Sequence, residues 1–258
     1  MGYIIDFGHT SKRIPGLDDH CFSFLNFENG LEDLGYGGLV WENTAPSYIF
    51  TQSSIKKKGS SSLALNLNYS SPSTNRVTTT NSSLKQLFGN SYTIDWWEYR
   101  LSSFPHGSEQ PYTAYTSLEF LETNSSSQSD FPDSEIIILK DAANNWLILH
   151  SDSIPELSDW HGTSTKICDI EYDKWNHIAI SFDTNNYYIF YNGSLKSVIP
   201  STNYLPNIDI INIGINIVAD SRLYNDQKCY LFHGYMDMIR ISDIVRWTTD
   251  FDINHIYD

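Results

Sequence analysis

Residues 173–197 read DKWNHIAISFDTNNYYIFYNGSLKS, and their pattern decides the fold class. Apolar and small side chains alternate over 178–182 and aromatic side chains recur over 187–191, with polar turn residues between them, which predicts a hairpin. The second strand ends at Asn192-Gly193, a dipeptide that accepts the positive φ angles of a tight turn. Residues 194–199 can leave that turn as a third strand. The stretch therefore predicts an antiparallel meander, the unit from which two-sheet sandwiches are assembled.

Other alternating stretches of the chain predict further strands. They are 21–28, 63–67, 92–100, 115–122, 135–140, 145–151, 167–172, 209–214 and 230–241. Both faces of the 92–100 stretch carry aromatic side chains, with Trp96 on one face and Trp97 on the other. We therefore expect a central strand there, with one face in the core and the other in a groove or under a loop. Residues 244–247 are predicted to form a single helical turn.

The composition limits which classes of protein and which partners fit this chain. The chain of 258 residues has 14% aromatic and 18% charged residues, which supplies enough apolar material for one large β-sandwich. Its net charge of −15 disfavours nucleic acid and anionic membrane surfaces as partners. An acidic balance suits divalent cations, and it equally suits plain solubility.

No targeting or membrane-spanning segment is predicted. Residues 1–10 lack the charged region and apolar core of a signal peptide, and no window approaches the roughly 18 consecutive apolar residues of a spanning helix. We therefore expect synthesis in a cytoplasm and no membrane insertion. Cys21, Cys168 and Cys229 are an odd set without C-x-x-C spacing, so all three are expected to be reduced and mostly buried.

Two stretches resemble a known family. The Trp-Asn-His strand of the meander, its aspartate turn and its Tyr-Asn-Gly end resemble the central meander of laminin-G-like domains, which belong to the concanavalin-A-like jelly-roll group. Residues 232–241, FHGYMDMIRI, resemble that family's closing strand, and 242–251 resemble the variant found in phage tail and virion proteins. The resemblance implies an all-β fold, a two-sheet antiparallel jelly-roll sandwich over residues 17–258. Residues 1–16 are interpreted as an N-terminal arm or leader, which either docks on other virion or tail proteins or packs loosely on its own domain.

Carbohydrate binding requires an exposed aromatic plate for the apolar face of a sugar, flanked by amide or carboxylate groups for its hydroxyls. Trp160, with Asp159 and His161 at a predicted loop tip, is the first candidate. Trp146 with Asn145 is the second. Tryptophans on buried strands are discounted, because most of them belong to a core.

Calcium is the ion that the resemblance implies. Some relatives bind it between an early loop and the closing strand, and the matching positions here are Glu28 or Asp33 and Asp237. Oxygen atoms of carboxylates, amides and carbonyls on loops are ligands that calcium accepts. The alternative is that Asp237 hydrogen-bonds the loop in place of a metal.

Three hypotheses for the function follow. The jelly-roll group includes β-glucan hydrolases, which need two carboxylates across the scissile bond. The nearest candidates here are Asp169, Glu171 and Asp173, but their order, Asp-Glu-Asp, differs from the Glu-Asp-Glu order of the glucanases. We interpret the three as one solvent-facing row. We therefore expect no catalytic residue and a non-enzymatic binding module of a phage tail, tail-like particle or virion surface that recognises cell-surface carbohydrate. The alternatives are a structural protein that decorates or caps an assembly without a sugar ligand, and a glycoside hydrolase. A homo-oligomer is left open.

Overall fold

The structure is a computed structural model, and it describes residues 17–66, 76–102, 115–121, 134–141, 146–150, 165–201, 208–216 and 230–257. Its strands are β1 (Cys21–Leu25), β2 (Glu42–Asn43), β3 (Ile49–Gln52), β4 (Ser62–Asn66), β5 (Val77–Thr80), β6 (Tyr92–Arg100), β7 (Tyr115–Leu121), β8 (Ser134–Asp141), β9 (Trp146–His150), β10 (Thr165–Asp169), β11 (Trp175–Phe182), β12 (Asn186–Tyr191), β13 (Ser194–Pro200), β14 (Ile210–Ile213), β15 (Ile215–Asn216), β16 (Tyr230–Leu231) and β17 (His233–Ser242). A short helix, α1 (Ser83–Phe88), follows β5. No helix in these ranges is long and apolar enough to cross a membrane.

The strands form two antiparallel sheets and a small hairpin. Sheet A has the order β13-β12-β11-β6-β17-β4-β3, with β1 also paired to β17. Sheet B has the order β10-β9-β8-β7-β14-β5-β2, and β15 pairs with β16. Each predicted strand has a counterpart in the structure, and the predicted all-β, two-sheet antiparallel sandwich is confirmed.

The predicted meander forms as β11, β12 and β13. The turn between the last two strands has φ angles of 49° at Asn192 and 78° at Gly193, as the Asn-Gly sequence predicts. The carbonyl of Gly193 accepts a hydrogen bond from the amide of Phe251 at 2.9 Å. This bond ties the meander to the C-terminal segment, residues 243–257.

The main core lies between the two sheets and also contains a buried ion pair. Trp96 of β6 points into this core, and its indole Nε1 donates to Glu98 Oε2 at 3.1 Å. Arg100 Nε donates to Glu98 Oε1 at 2.5 Å, and the hydroxyl of Ser117, from sheet B, donates to Glu98 Oε2 at 2.6 Å. The buried carboxylate of Glu98 is therefore paired and hydrogen-bonded, which is the condition under which a buried charge is tolerated.

A second apolar layer covers the outer face of sheet A. Its buried members are Cys21, Phe24, Trp97, Met238 and Tyr257, the last of which comes from the C-terminal segment. Trp97 is only 2% exposed. Strand β6 is thus central, as predicted, and its second face is buried beneath the C-terminal segment.

Asp95 is the centre of a buried ionic cluster in this layer. Arg240 donates to both of its carboxylate oxygens, from Nε at 2.9 Å and from Nη2 at 3.2 Å. The Tyr257 hydroxyl lies 2.8 Å and the His177 Nε2 lies 3.2 Å from Oδ2. Burial by itself would raise the pKa of Asp95, but the charge of Arg240 and the hydrogen bond with His177 hold that pKa well below its ordinary value. Burial lowers the pKa of His177, so a neutral imidazole donates from Nε2.

One local prediction fails, and one short element was not predicted. Residues 244–247 form no helical turn, because Thr93 Oγ1 donates to the carbonyl of Ile244 and accepts from the amide of Arg246, both at 2.8 Å. These bonds occupy backbone groups that a helical turn would have used. The helix α1 is not among the predicted elements.

Cys21 is buried and Cys168 half-buried, both as free thiols, while Cys229 lies outside the described residues.

Candidate functional site

The predicted carbohydrate-binding residues fall largely outside the described structure. Asn145, Asp159, Trp160 and His161 lie outside the described residues. Trp146 begins β9, and only its backbone is described. The two tryptophan-centred sites therefore stay predictions.

A different candidate site is a groove of about 370 Å³ between the glycine-rich loop after β1, the helix α1 and the end of β17. Its lining residues are Phe22, Tyr36, Ser83, Gln86, Leu87, Asn90, Ser91 and Asp243. Two of them are aromatic, and the polar ones carry hydroxyl, amide or carboxylate groups. We call this feature the Tyr36 groove.

Tyr36 supplies an exposed aromatic plate. Its side chain belongs to a residue that is 58% exposed, and its ring meets that of Phe22 edge to face, with the centroids 5.4 Å apart. The hydroxyl donates to Asp243 Oδ2 at 2.8 Å. Burial of the hydroxyl, together with this hydrogen bond, raises the pKa of Tyr36 to about 12, so the group remains a donor at neutral pH. The ring thus contacts Phe22 and is held at its hydroxyl by Asp243, while the residue remains largely exposed.

The glycine-rich loop holds Tyr36 in place because the loop lies directly on β1. The amide of Tyr36 donates to the carbonyl of Cys21 at 3.1 Å, and that of Gly37 donates to the carbonyl of Phe22 at 2.8 Å. A Cβ atom at Gly35 or Gly37 would collide with Phe22. The glycines therefore permit the close approach of loop and strand that fixes the plate.

Asp243 supplies the charged group of the groove. It follows the last residue of β17, and its Oδ1 lies 3.0 Å from Nδ1 of His20. Its backbone amide donates to the carbonyl of His20 at 3.1 Å. With Tyr36 on Oδ2 and His20 on Oδ1, the carboxylate is fixed in orientation, yet its side chain is still 36% exposed. Each carboxylate oxygen has two lone pairs, so capacity to accept further hydrogen bonds remains.

The opposite wall comes from α1 and the turn after it. Ser83, Gln86 and Asn90 follow the three- and four-residue spacing of one helix face, whereas Leu84 and Phe88 pack into the core. Asn90 Nδ2 donates to the carbonyl of Gln86 at 2.7 Å, which anchors that amide at the rim of the groove. A rigid aromatic face, amides, hydroxyls and one carboxylate are the groups with which proteins bind a pyranose.

Glu28 and Asp237, two of the predicted calcium ligands, accept hydrogen bonds from backbone amides. Glu28 Oε1 accepts the amide of Ser60 at 2.7 Å, and its Oε2 accepts the hydroxyl of the same serine. Asp237 Oδ2 accepts the amides of Lys57 and Lys58 at 2.9 Å and 3.2 Å. Both carboxylates therefore fasten the loop 56–61. Asp237 thus hydrogen-bonds the loop 56–61 and not the earlier loop of the predicted alternative, so that alternative stays a prediction.

Asp33, the third predicted calcium ligand, accepts its hydrogen bonds in a different place. Its Oδ1 accepts the amide of Phe24 in β1 at 2.8 Å and that of Gly35 in the glycine-rich loop at 2.9 Å. Calcium takes six to eight oxygen ligands, and the part of the chain that the structure describes holds no group of three or more His, Cys, Asp or Glu arranged for a metal ion. The three carboxylates as placed do not fit a calcium site, and calcium binding stays a prediction.

The acidic row considered for catalysis is exposed and its members have separate partners. Asp169 Oδ1 lies 2.8 Å from the Lys166 ammonium, and Glu171 Oε1 lies 2.6 Å from that of Lys174. Asp173 accepts the amide of Ser102 at 3.1 Å. The interpretation as solvent-facing residues agrees with their exposure.

Several solved structures share the fold of this chain. The binding domain of botulinum neurotoxin serotype G matches with a TM-score of 0.56 and 14% identity, over 92% of this chain and 50% of that chain. The binding domain of botulinum neurotoxin DC in complex with SialylT matches with 0.54 and 14%, over 91% and 49%. The sialidase of Trypanosoma rangeli in complex with 2,3-difluorosialic acid matches with 0.58 and 10%, over 96% and 35%. This chain spans half or less of each.

These likenesses establish the fold as a concanavalin-A-like jelly-roll sandwich, in agreement with the prediction. The sequence matches no protein-family model and no curated protein sequence. The laminin-G-like assignment and the phage context therefore remain predictions from the sequence.

The Tyr36 groove is not among the predicted sites. The one sequence signal for it was Tyr36 itself, an aromatic residue set between Gly35 and Gly37 in a loop. Asp243 is 207 positions away from Tyr36 in the chain, and the intervening sequence offers no sign that the two meet.

Proposed function

We propose that this chain is a non-enzymatic glycan-binding module and that the Tyr36 groove is its binding site. The observation that carries the proposal is the exposed ring of Tyr36, fixed by Phe22 and Asp243 beside the amide groups of Gln86 and Asn90. A plate that is already rigid loses little conformational freedom when a sugar stacks on it, which favours binding.

The structures of the same fold support the choice of ligand class. One is described as a receptor-binding domain, one is a binding domain in complex with SialylT, and one is a sialidase in complex with sialic acid. The shared fold favours carbohydrate as the class of ligand, but it does not identify a particular ligand.

We further propose that the module belongs to the surface of a phage tail, tail-like particle or virion, where it recognises cell-surface carbohydrate. The support is the resemblance of residues 242–251 to the variant of the closing strand in such proteins. Residues 1–16 would then be the arm that contacts other particle proteins. The non-enzymatic part of the proposal is supported by the acidic row, in which Asp169 and Glu171 each face their own lysine.

Tyr36→Ala is expected to weaken binding to a glycan at least about tenfold, because the central aromatic anchor of a site usually contributes more than 1.4 kcal/mol. Binding would be measured on an array of bacterial surface glycans, in calcium and in chelator, followed by titration with the best ligand. Tyr188→Ala is the matched control, since the Tyr188 hydroxyl also donates to an aspartate, Asp183 Oδ2 at 2.8 Å, but outside the groove.

Equal losses in the two variants would show that the groove is not the site. Loss of binding in Trp160→Ala, with Tyr36→Ala unaffected, would move the site to the sequence-predicted loop. If the folded protein binds no glycan on the array, the alternative of a structural protein without a sugar ligand would be favoured.

A further inference from the structure

The charge of the Tyr36 groove bears on which glycans can enter it. Among the described residues that line the groove, Asp243 is the one charged side chain. Its carboxylate is fixed by Tyr36 and His20 and remains partly exposed, so any ligand in the groove meets a hydrogen-bond acceptor with a negative charge.

His20 contacts Asp243 itself, with Nδ1 3.0 Å from Oδ1, while the lysine and the arginine on neighbouring described elements are engaged elsewhere. Lys85 of α1 pairs with Asp209, Nζ to Oδ2 at 3.1 Å. Arg246 donates from Nη2 to Asp18 Oδ1 at 2.8 Å and from Nε to Ser242 Oγ at 2.6 Å. Recognition of a ligand carboxylate normally relies on a cationic side chain, most effectively a bidentate arginine. Among the residues that the structure describes, the groove lining supplies no such cation.

We infer that the Tyr36 groove selects uncharged pyranose sugars and disfavours sialylated ones, an inference that rests on the proposed function. A sugar hydroxyl can donate to Asp243, while the amide and hydroxyl groups of Gln86, Asn90 and Ser91 serve the remaining hydroxyls. The carboxylate of a sialic acid would be brought against the carboxylate of Asp243 in a partly enclosed groove, where like charges repel. The net charge of −15 adds to this repulsion. The inferred preference contrasts with the SialylT ligand of the neurotoxin binding domain that shares the fold.

The test compares matched pairs of glycans, each neutral oligosaccharide beside the same oligosaccharide capped with sialic acid. Titrations are run at pH 8, where imidazole side chains are generally neutral, and at low salt, where charge effects are least screened. The neutral member is expected to bind about fivefold or more tightly, which is the repulsion of two unit charges about 4 Å apart expressed as a ratio of Kd values. Asp243→Asn should bring the two members closer together, because asparagine can still accept from Tyr36 but carries no charge. Asp183→Asn, at the Tyr188 pair outside the groove, should leave the ratio unchanged.

Each outcome has a separate meaning. Equal or tighter binding of the sialylated member, abolished by Tyr36→Ala, would overturn this inference and leave the glycan-binding function standing. A neutral preference that persists unchanged in Asp243→Asn would also overturn it, since the carboxylate would not be the cause. Failure of the folded protein to bind either member of any pair would contradict the proposed function itself.

Discussion

Replacement of Asp95 by asparagine is expected to lower the free energy of unfolding by about 3–5 kcal/mol, the usual cost of removing one partner from a buried ion pair. Asp95 and Arg240 are 0% and 1% exposed, and the guanidinium reaches both carboxylate oxygens. Asparagine keeps the shape of the side chain but leaves Arg240 with an uncompensated buried charge. It also weakens the hydrogen bonds that His177 and Tyr257 donate to Oδ2.

Urea unfolding of the two proteins would measure this loss. Asp169→Asn is the matched control, because the Asp169–Lys166 pair has a similar distance of 2.8 Å but is exposed, and it should cost less than about 1 kcal/mol. The double variant Asp95→Asn with Arg240→Met should be more stable than the sum of the single variants predicts, since it removes both charges. A loss below about 1 kcal/mol for Asp95→Asn would contradict a structural role for the cluster.

Asp237 is expected to make stability depend on pH near neutrality. Asp237 is fully buried, and within the described part of the chain its Oδ1 has no hydrogen-bond partner. Burial raises its pKa to about 7 against the hydrogen bonds that it accepts from the amides of Lys57 and Lys58. The negative charge of Asp237 raises the pKa of Lys57, but burial has the larger effect and the pKa of Lys57 is lowered overall. The Lys57 ammonium lies 3.6 Å from the centroid of the Trp97 ring. The folded protein therefore favours the neutral carboxyl.

The sign follows from the direction of the shift. Because the folded-state pKa lies above the unfolded value of 3.8, the contribution of Asp237 to stability is fully present below about pH 4 and is lost as the pH rises through 7. In Asp237→Asn this dependence disappears, so the stability of the variant relative to the wild type should increase by about 3–4 kcal/mol between pH 4 and pH 8. Unfolding free energies at both pH values would measure it.

The same titrations examine the calcium prediction. Run in chelator they isolate the protonation of Asp237, and run in calcium they should be unchanged if Asp237 only fastens the loop 56–61. A rise in wild-type stability at pH 8 on addition of calcium, absent in Asp237→Asn, would instead identify Asp237 as a calcium ligand. A relative stability that stays constant from pH 4 to pH 8 in chelator would contradict the raised pKa.

The strands and the main turn could be predicted because their signals are local. Alternation with a period of two depends on neighbours in the sequence, and the Asn192-Gly193 turn depends on two adjacent residues that tolerate positive φ. The helix α1 escaped prediction because its apolar residues, Leu84, Leu87 and Phe88, occupy less than two turns within a polar stretch. A segment so short is helical only because the core receives that apolar face.

By itself, then, the sequence determined an all-β sandwich, the order of its strands along the chain and the presence of aromatic residues on both faces of β6. Only the tertiary structure decided that the outer face of β6 lies beneath the C-terminal segment, that Asp95 meets Arg240, and that Tyr36 meets Asp243 beside α1. The physical reason is the same in each case. These contacts join residues more than 140 positions apart, and the pairing of β6 and β1 with β17 that brings them together depends on packing of the whole sandwich and leaves no local pattern in the sequence.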